Sequence, residues 1–125
     1  LDGVVLVSQR QERVSALVRR VVSELLATRI KDPRIGFTSV VKVDVSRDLS
    51  IAKVYVSVFG SPEDKEESMK GLRSAQGLIR SEVAKVLGIR HAPEIQFALD
   101  EGIEHSIRVS RLLNEIKKGE EVEGQ

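Results

Sequence analysis

The chain has 125 residues, 41% hydrophobic and 31% charged, which suits one globular domain with its own core and excludes a wholly disordered chain. It has no cysteine, so disulfides and thiolate metal sites are excluded and a reducing, cytoplasmic setting is expected. Its 20 Lys/Arg and 19 Asp/Glu nearly cancel, and apolar runs such as Val4 to Val7 fall far short of the ~20 residues of a membrane span.

Leu1 to Val7 is too short for a signal peptide and lacks its basic start, so it is read as a trimmed end outside the fold. Ser8 with Gln11 three residues later forms a capping-box start. Val14, Leu17, Val18, Val21, Val22, Leu25, Leu26 and Ile30 then share one helical face, predicting a first helix over Gln9–Ile30 that Pro33 and Gly36 terminate. Phe37, Val41, Val43 and Val45 alternate with polar residues as a half-buried strand. After the turn Arg47-Asp48-Leu49-Ser50, Ala52, Val54, Val56 and Val58 do the same, which predicts a hairpin. Ser61-Pro62-Glu63-Asp64 opens a second helix with a hydroxyl cap, a proline at its first position and acids at the positive end of the dipole. Met69, Leu72 and Ala75 are its inward residues. Gly77 interrupts the pattern, Leu78, Ile79, Val83, Val86 and Leu87 resume it, and Gly88 closes it, so two helices meeting at a kink are expected. Ile95, Phe97 and Leu99 form a third strand. Ile103 to Lys118 reads as a last amphipathic helix, followed by an acidic tail too polar to fold. The expected architecture is α+β, in the order α-β-β-α-kink-α-β-α, with a three-stranded sheet packed against helices.

No catalytic, cofactor or metal constellation emerges. His91 and His105 sit in different elements without the companions of a metal helix. Ser50 and Lys53 have serine–lysine spacing on a strand edge but nothing else of a lactamase signature. Gly71 and Gly77 lie within helices and precede Leu78, not Lys-Ser, which excludes a phosphate-binding P-loop. Acidic pairs such as Glu63/Asp64 are solvated helix-start charges.

The charge is polarised, and this points to a polyanion. Ser8 to Lys53 carries ten Lys/Arg against five Asp/Glu, and Gly71 to Pro93 carries Arg73, Arg80, Lys85 and Arg90 against Glu82 alone. From Glu94 onward, eight acids face four bases. An unevenly charged solvated surface accounts for this about equally well. The segment Arg73-Ser74-Ala75-Gln76-Gly77-Leu78-Ile79-Arg80 is more telling. Small residues would let a phosphate backbone approach the kink, where a helix start offers free N–H groups between two arginines. A glycine admitting a bend only for packing is the competing reading. Lys85, Arg90 and His91 extend the candidate RNA surface. Arg10, Arg13, Arg19, Arg20 and Arg29 project from the first helix, with Lys31, Arg34 and Arg47 beyond it. Phe37, Tyr55, Phe59 and Phe97 are the only rings. Because Phe37 and Phe97 fall at core positions, a base-stacking platform is not expected, and recognition should rest on phosphate, 2′-hydroxyl and shape.

The runs Ile30-Lys31-Asp32-Pro33-Arg34-Ile35-Gly36-Phe37, Val43-Asp44-Val45-Ser46-Arg47-Asp48-Leu49-Ser50 and Ala52-Lys53-Val54-Tyr55-Val56-Ser57 resemble the bacterial ribosome-binding factor A family. So do Leu78-Ile79-Arg80-Ser81-Glu82, Arg90-His91-Ala92-Pro93-Glu94-Ile95 and Arg111-Leu112-Leu113, a match over roughly Arg10 to Lys118. The resemblance implies a type II KH-like domain over 9–118, an N-terminal extension over 1–8 and a flexible acidic tail over 119–125. It also implies a monomeric, non-catalytic factor that binds the small ribosomal subunit (30S) and 16S rRNA or its precursor. Such a factor assists late 30S maturation and 16S rRNA processing and matters in cold adaptation. Ala75-Gln76-Gly77 would stand where ordinary KH domains carry Gly-x-x-Gly, which favours backbone binding over a single-strand clamp. A protein–protein adaptor whose basic faces meet an acidic partner is the rival.

Overall fold

Ser8 and Gln11 cap each other: the Gln11 N–H donates to Ser8 Oγ at 3.1 Å, and the Ser8 N–H donates to Gln11 Oε1 at 3.0 Å. This opens α1 (Gln9–Thr28), in a computed structural model that describes residues 8–100. Gln11 also donates from Nε2 to the Val45 carbonyl at 2.9 Å, so one side chain caps the helix and ties it to the end of a strand. Val14, Val18, Val21, Val22 and Leu25 are buried on the expected face. The helix ends two residues before Ile30. The Ile30 N–H reaches back to the Leu25 carbonyl at 2.7 Å, and the side chain leaves the helical path but stays packed on the core.

β1 (Thr38–Val45) and β2 (Ile51–Val58) pair antiparallel. Their turn holds Leu49 at φ +62°, a left-handed conformation that costs a non-glycine residue ~1–2 kcal/mol. Packing of Leu49 against the core offsets this, and Asp48 pins the turn. Its Oδ1 accepts from Ser50 Oγ (2.6 Å), Ser46 Oγ (2.8 Å) and the Ser50 N–H (3.1 Å). These bonds, led by that from the Ser50 hydroxyl, lower the Asp48 pKa from 3.8 to about 2.

Pairing slips between Val40 and Lys42, leaving Val41 as an extra residue. A bulge reverses the facing of every residue before it. Val40 is therefore buried in place of Val41, and Phe37, expected in the core, is 82% exposed. β3 (Glu94–Leu99) lies parallel to β2 on its other side, with Ile95 and Phe97 buried as expected, in the sheet order β1-β2-β3.

The crossover that a parallel pair requires is α2 (Pro62–Ser74) followed by α3 (Gln76–Leu87). Ser61 and Asp64 form the capping box that opens α2. The helical break falls at Ala75, the first residue of the expected Ala75-Gln76-Gly77 kink, and Gly77 sits in the first turn of α3. α3 buries Ile79 and Val83. Leu78 and Val86, expected inward, are exposed, because only one stripe of so short a helix meets the core. The architecture is α+β in the KH-like order. The helix expected over Ile103–Lys118, with His105 and the acidic tail, lies outside the described residues.

Two small residues on α2 place this crossover. Ser68, fully buried, accepts the Gly36 N–H at 2.9 Å and donates to the Arg34 carbonyl at 3.3 Å. A Cβ on Gly71 would lie 2.5 Å from Ile35 Cγ1 and 3.3 Å from Asp32 Cγ. α2 thus rests directly on the turn over residues 32–36. Helix propensity alone would favour Gly71→Ala by ~1 kcal/mol, but the clash reverses the sign. Gly71→Ala should destabilise the protein by ~1–3 kcal/mol in urea unfolding. Asp48 carries a folded pKa below its unfolded value, so its contribution is full above about pH 4 and fades as the pH falls toward about 2. Asp48→Asn should therefore melt below the parent chain at pH 7, with the gap closing as thermal scans approach pH 2.

Candidate RNA interface at the helix break

Ala75 joins α2 to α3 with φ −89° and ψ −4°, its methyl buried, so the joint adopts an ordinary right-handed backbone that any residue could take. Alanine supplies no side chain to cap the amides that open α3, which leaves that end to water or to an anion. Gly77 lies exposed as the second residue of α3, and a Cβ placed on it would meet nothing within 4 Å. The packing explanation for this glycine therefore fails: its bareness leaves space on the outside of the helix start.

Arg73 is exposed beside the break and forms no ion pair among the described residues. Ser74 donates its hydroxyl to the Lys70 carbonyl at 3.1 Å and accepts from Arg34 Nη2 at 3.0 Å. Arg34 is held there by Asp32, which takes Nε at 3.0 Å and Nη2 at 2.6 Å as a fork. The Arg34 side chain, with its backbone N–H, lowers the Asp32 pKa from 3.8 to about 2. The turn over residues 32–36, far away in sequence, thus delivers an oriented guanidinium to the break. Gln76, half-buried, completes the local group.

The remaining basic residues divide among other surfaces. Arg29 pairs with Glu82 at 3.2 Å, and Lys85 approaches the same carboxylate at 3.9 Å, forming a seam between α1 and α3. Arg80, expected to flank the opening with a fixed charge, donates Nε to the Ala92 carbonyl at 3.0 Å and braces the approach to β3, although it remains exposed. Arg10, Arg47 and His91 line a cleft of about 380 Å³ with Leu87 and Ile89. That cleft sits at the opposite end of α3 from the break, ~18 Å away along the helix. Arg20 faces Glu24 at 3.9 Å on the outside of α1, and Arg13, Lys31 and Arg90 are exposed. The sixteen candidates are therefore not one surface. Arg34, Arg73, Ser74, Ala75, Gln76 and Gly77 are brought together, the α1–α3 seam adjoins them, and the Arg10 cleft stands apart.

Sequence reading missed Asp32, Ser68 and Gly71 as supports of the site. Only Asp32 left a signal, since a carboxylate two residues before an arginine can bond both its backbone and its side chain. Among the described residues no group of three or more His, Asp or Glu side chains could hold a metal ion, and no helix is long and apolar enough to cross a membrane.

The family model of ribosome-binding factor A matches residues 10–113. The chain belongs to that family. A ribosome-binding factor A from Dictyoglomus thermophilum is 52% identical over 109 residues, covering 86% of this chain and 91% of the relative. Among solved structures, a Thermotoga maritima protein assigned to the same family superposes with a TM-score of 0.68 at 34% identity, covering 81% of this chain and 96% of that one. A homology model of the Thermus thermophilus ribosome binding factor A, as fitted into a cryo-EM map of its 30S complex, superposes with a TM-score of 0.56 at 26% identity, covering 69% of this chain and 90% of that one.

Within this family member, Gly77→Ala should raise stability by ~0.5–1 kcal/mol, because it improves helix propensity at an exposed position and touches nothing. Urea midpoints of the two proteins give the comparison; a loss of stability would mean that Gly77 is needed for packing after all.

Proposed function

We propose that this protein binds the small ribosomal subunit and its precursors through the RNA backbone, with the break at Ala75–Gly77 as the principal contact. The observation that carries the choice of partner is the Thermus thermophilus relative fitted into a 30S complex, brought to this chain by membership of the same family. Support for the contact surface comes from the uncapped amides of α3, the bare Gly77, Arg73 without an ion pair among the described residues, and the Arg34 guanidinium that Asp32 holds against Ser74. Backbone amides and a helix start recognise phosphate without reading bases, and Arg73 adds a bidentate donor.

The action we infer is selection between RNA conformations, without turnover chemistry. A factor that binds one of two states of 16S rRNA more tightly shifts the population by the difference in binding free energy. A tenfold preference corresponds to about 1.4 kcal/mol. Acting late in 30S maturation, such a shift would present precursor 16S rRNA to processing in its mature form. It would matter most in the cold, where barriers between RNA conformers are crossed slowly. The setting is the cytoplasm, where subunits assemble. Lys85 and Arg29 would extend the contact along the α1–α3 seam.

Arg73→Glu should weaken co-sedimentation with small subunits on the order of tenfold and reduce the salt dependence by about one unit of slope. Gly77→Glu makes a sharper test. An acid in the first turn of α3 favours the helix, so the fold should hold or gain while binding falls. If both variants sediment with subunits as the parent does, the break is not the contact. Binding that survives ribonuclease treatment of the partner would favour a protein adaptor instead.

A further inference from the structure

Every buried residue in the strands lies on the sheet face that the helices cover. The other face is built from the remaining residues of each strand, and among the described residues nothing packs on it. Its side chains follow from the register. Ser39 stands opposite Ser57, Lys42 opposite Tyr55 and Asp44 opposite Lys53, with Gln96 and Ala98 alongside on β3. One step beyond the Thr38–Val58 pair, the Phe59 N–H donates to the Phe37 carbonyl at 3.0 Å, so these two residues also oppose each other. Val58 points inward, which puts Phe59 and its partner on the open face, at 81% and 82% exposure. Three of the four rings in this chain thus share one face, a consequence of the bulge at Val41.

The rings are arranged in two stations. Phe37 and Phe59 form one at the end of the hairpin. Tyr55 forms the other, ~13 Å further along the strand, with the Lys42 and Lys53 ammonium groups 4.6 Å and 5.4 Å from its ring centroid. Between them lie the small side chains of Ser39 and Ser57, which leave a shallow floor. A helical protein partner would want an aliphatic ridge, and aliphatic groups here are sparse: Val41 at the bulge, half-buried Ile51 and the Ala98 methyl. Flat rings spaced along a strand, with hydroxyls between and paired cations at one station, match unpaired nucleotides instead. The acids Asp44 and Glu94 stand at the far end of the face from the phenylalanines, and Asp44 is 4.0 Å from Lys42.

We propose that the open sheet face is a second RNA site, stacking unpaired bases on Phe37, Phe59 and Tyr55 while Lys42 and Lys53 take phosphates. This departs from the expectation from sequence, which did not foresee a stacking platform because Phe37 and Phe97 were both placed in the core. The proposal rests on the protein being an RNA binder, but it uses the face opposite the helices and stands or falls separately from the break.

Tyr55 is the only tyrosine and there is no tryptophan, so intrinsic emission reports this site alone. The full chain is titrated with a mixed-sequence, single-stranded RNA of about a dozen nucleotides, with correction for RNA absorption. Saturable quenching of Tyr55 is expected. Phe37→Leu and Phe59→Leu keep apolar bulk at exposed positions and remove only the ring. Each should weaken binding at least about fivefold. Lys42→Gln with Lys53→Gln should lower the salt slope by about 1.4. Absence of quenching, or leucine variants that bind the oligonucleotide as the parent does, overturns the proposal. Leucine variants that lose only subunit binding assign the face to a protein partner and overturn it too. So does a Tyr55 already shielded from acrylamide without RNA, which would assign the face to residues 101–125. If the leucine variants weaken oligonucleotide binding while Arg73→Glu leaves subunit binding intact, the break reading fails and this one stands.

Discussion

The closeness of α2 to the turn over residues 32–36 is the constraint from which most of this molecule follows. Gly71 has no room for a methyl, and Ser68 spends its hydroxyl on the backbone of that turn. With α2 seated, the Asp32–Arg34 fork reaches Ser74, α2 terminates beside it, and α3 starts at an alanine that caps nothing. A larger residue at either α2 position would lift the helix and separate the arginine from the break. The geometry of the break depends on two residues, Ser68 and Gly71, that are small and lie outside it.

A second constraint acts on the sheet. One extra residue at Val41 lets β1 continue its pairing with the facing of its first half reversed. The core loses nothing, because Val40 takes the inward position. The outer face gains a phenylalanine, which meets Phe59 across the strand. An exposed aromatic pair is costly to leave in water and contributes little to folding, so its presence argues for a contact outside the fold.

Basic charge is distributed over these surfaces without being uniform. Arg34 is neutralised and oriented by Asp32, Arg29 and Lys85 share Glu82, and Arg80 is engaged with a backbone carbonyl. Exposed pairs of this kind add little stability. Their value lies in holding cations in fixed directions, whereas Arg73 keeps its charge free. A surface in which some guanidinium groups are positioned and others are available suits a polyanion whose phosphates are themselves at fixed spacing.

The sequence by itself determined the order of elements from α1 to β3, the capping box of α1 and the hydroxyl cap of α2, the inward faces of α1, β2 and β3, and the existence of a break between α2 and α3. These are local matters: periodicity, caps and helix breakers act within a few residues of where they are written. The tertiary structure alone decided the rest. It narrowed the break to Ala75 and showed Gly77 to be bare outward, because neighbours across the fold settle what a glycine is for. It divided sixteen candidate residues among separate surfaces, since residues close in sequence diverge at every turn. It put Phe37 outside, because a bulge depends on the partner strand and leaves no mark in the alternation of its own. Gly71 and Ser68 were illegible for the same reason: a close approach requires both surfaces to be present.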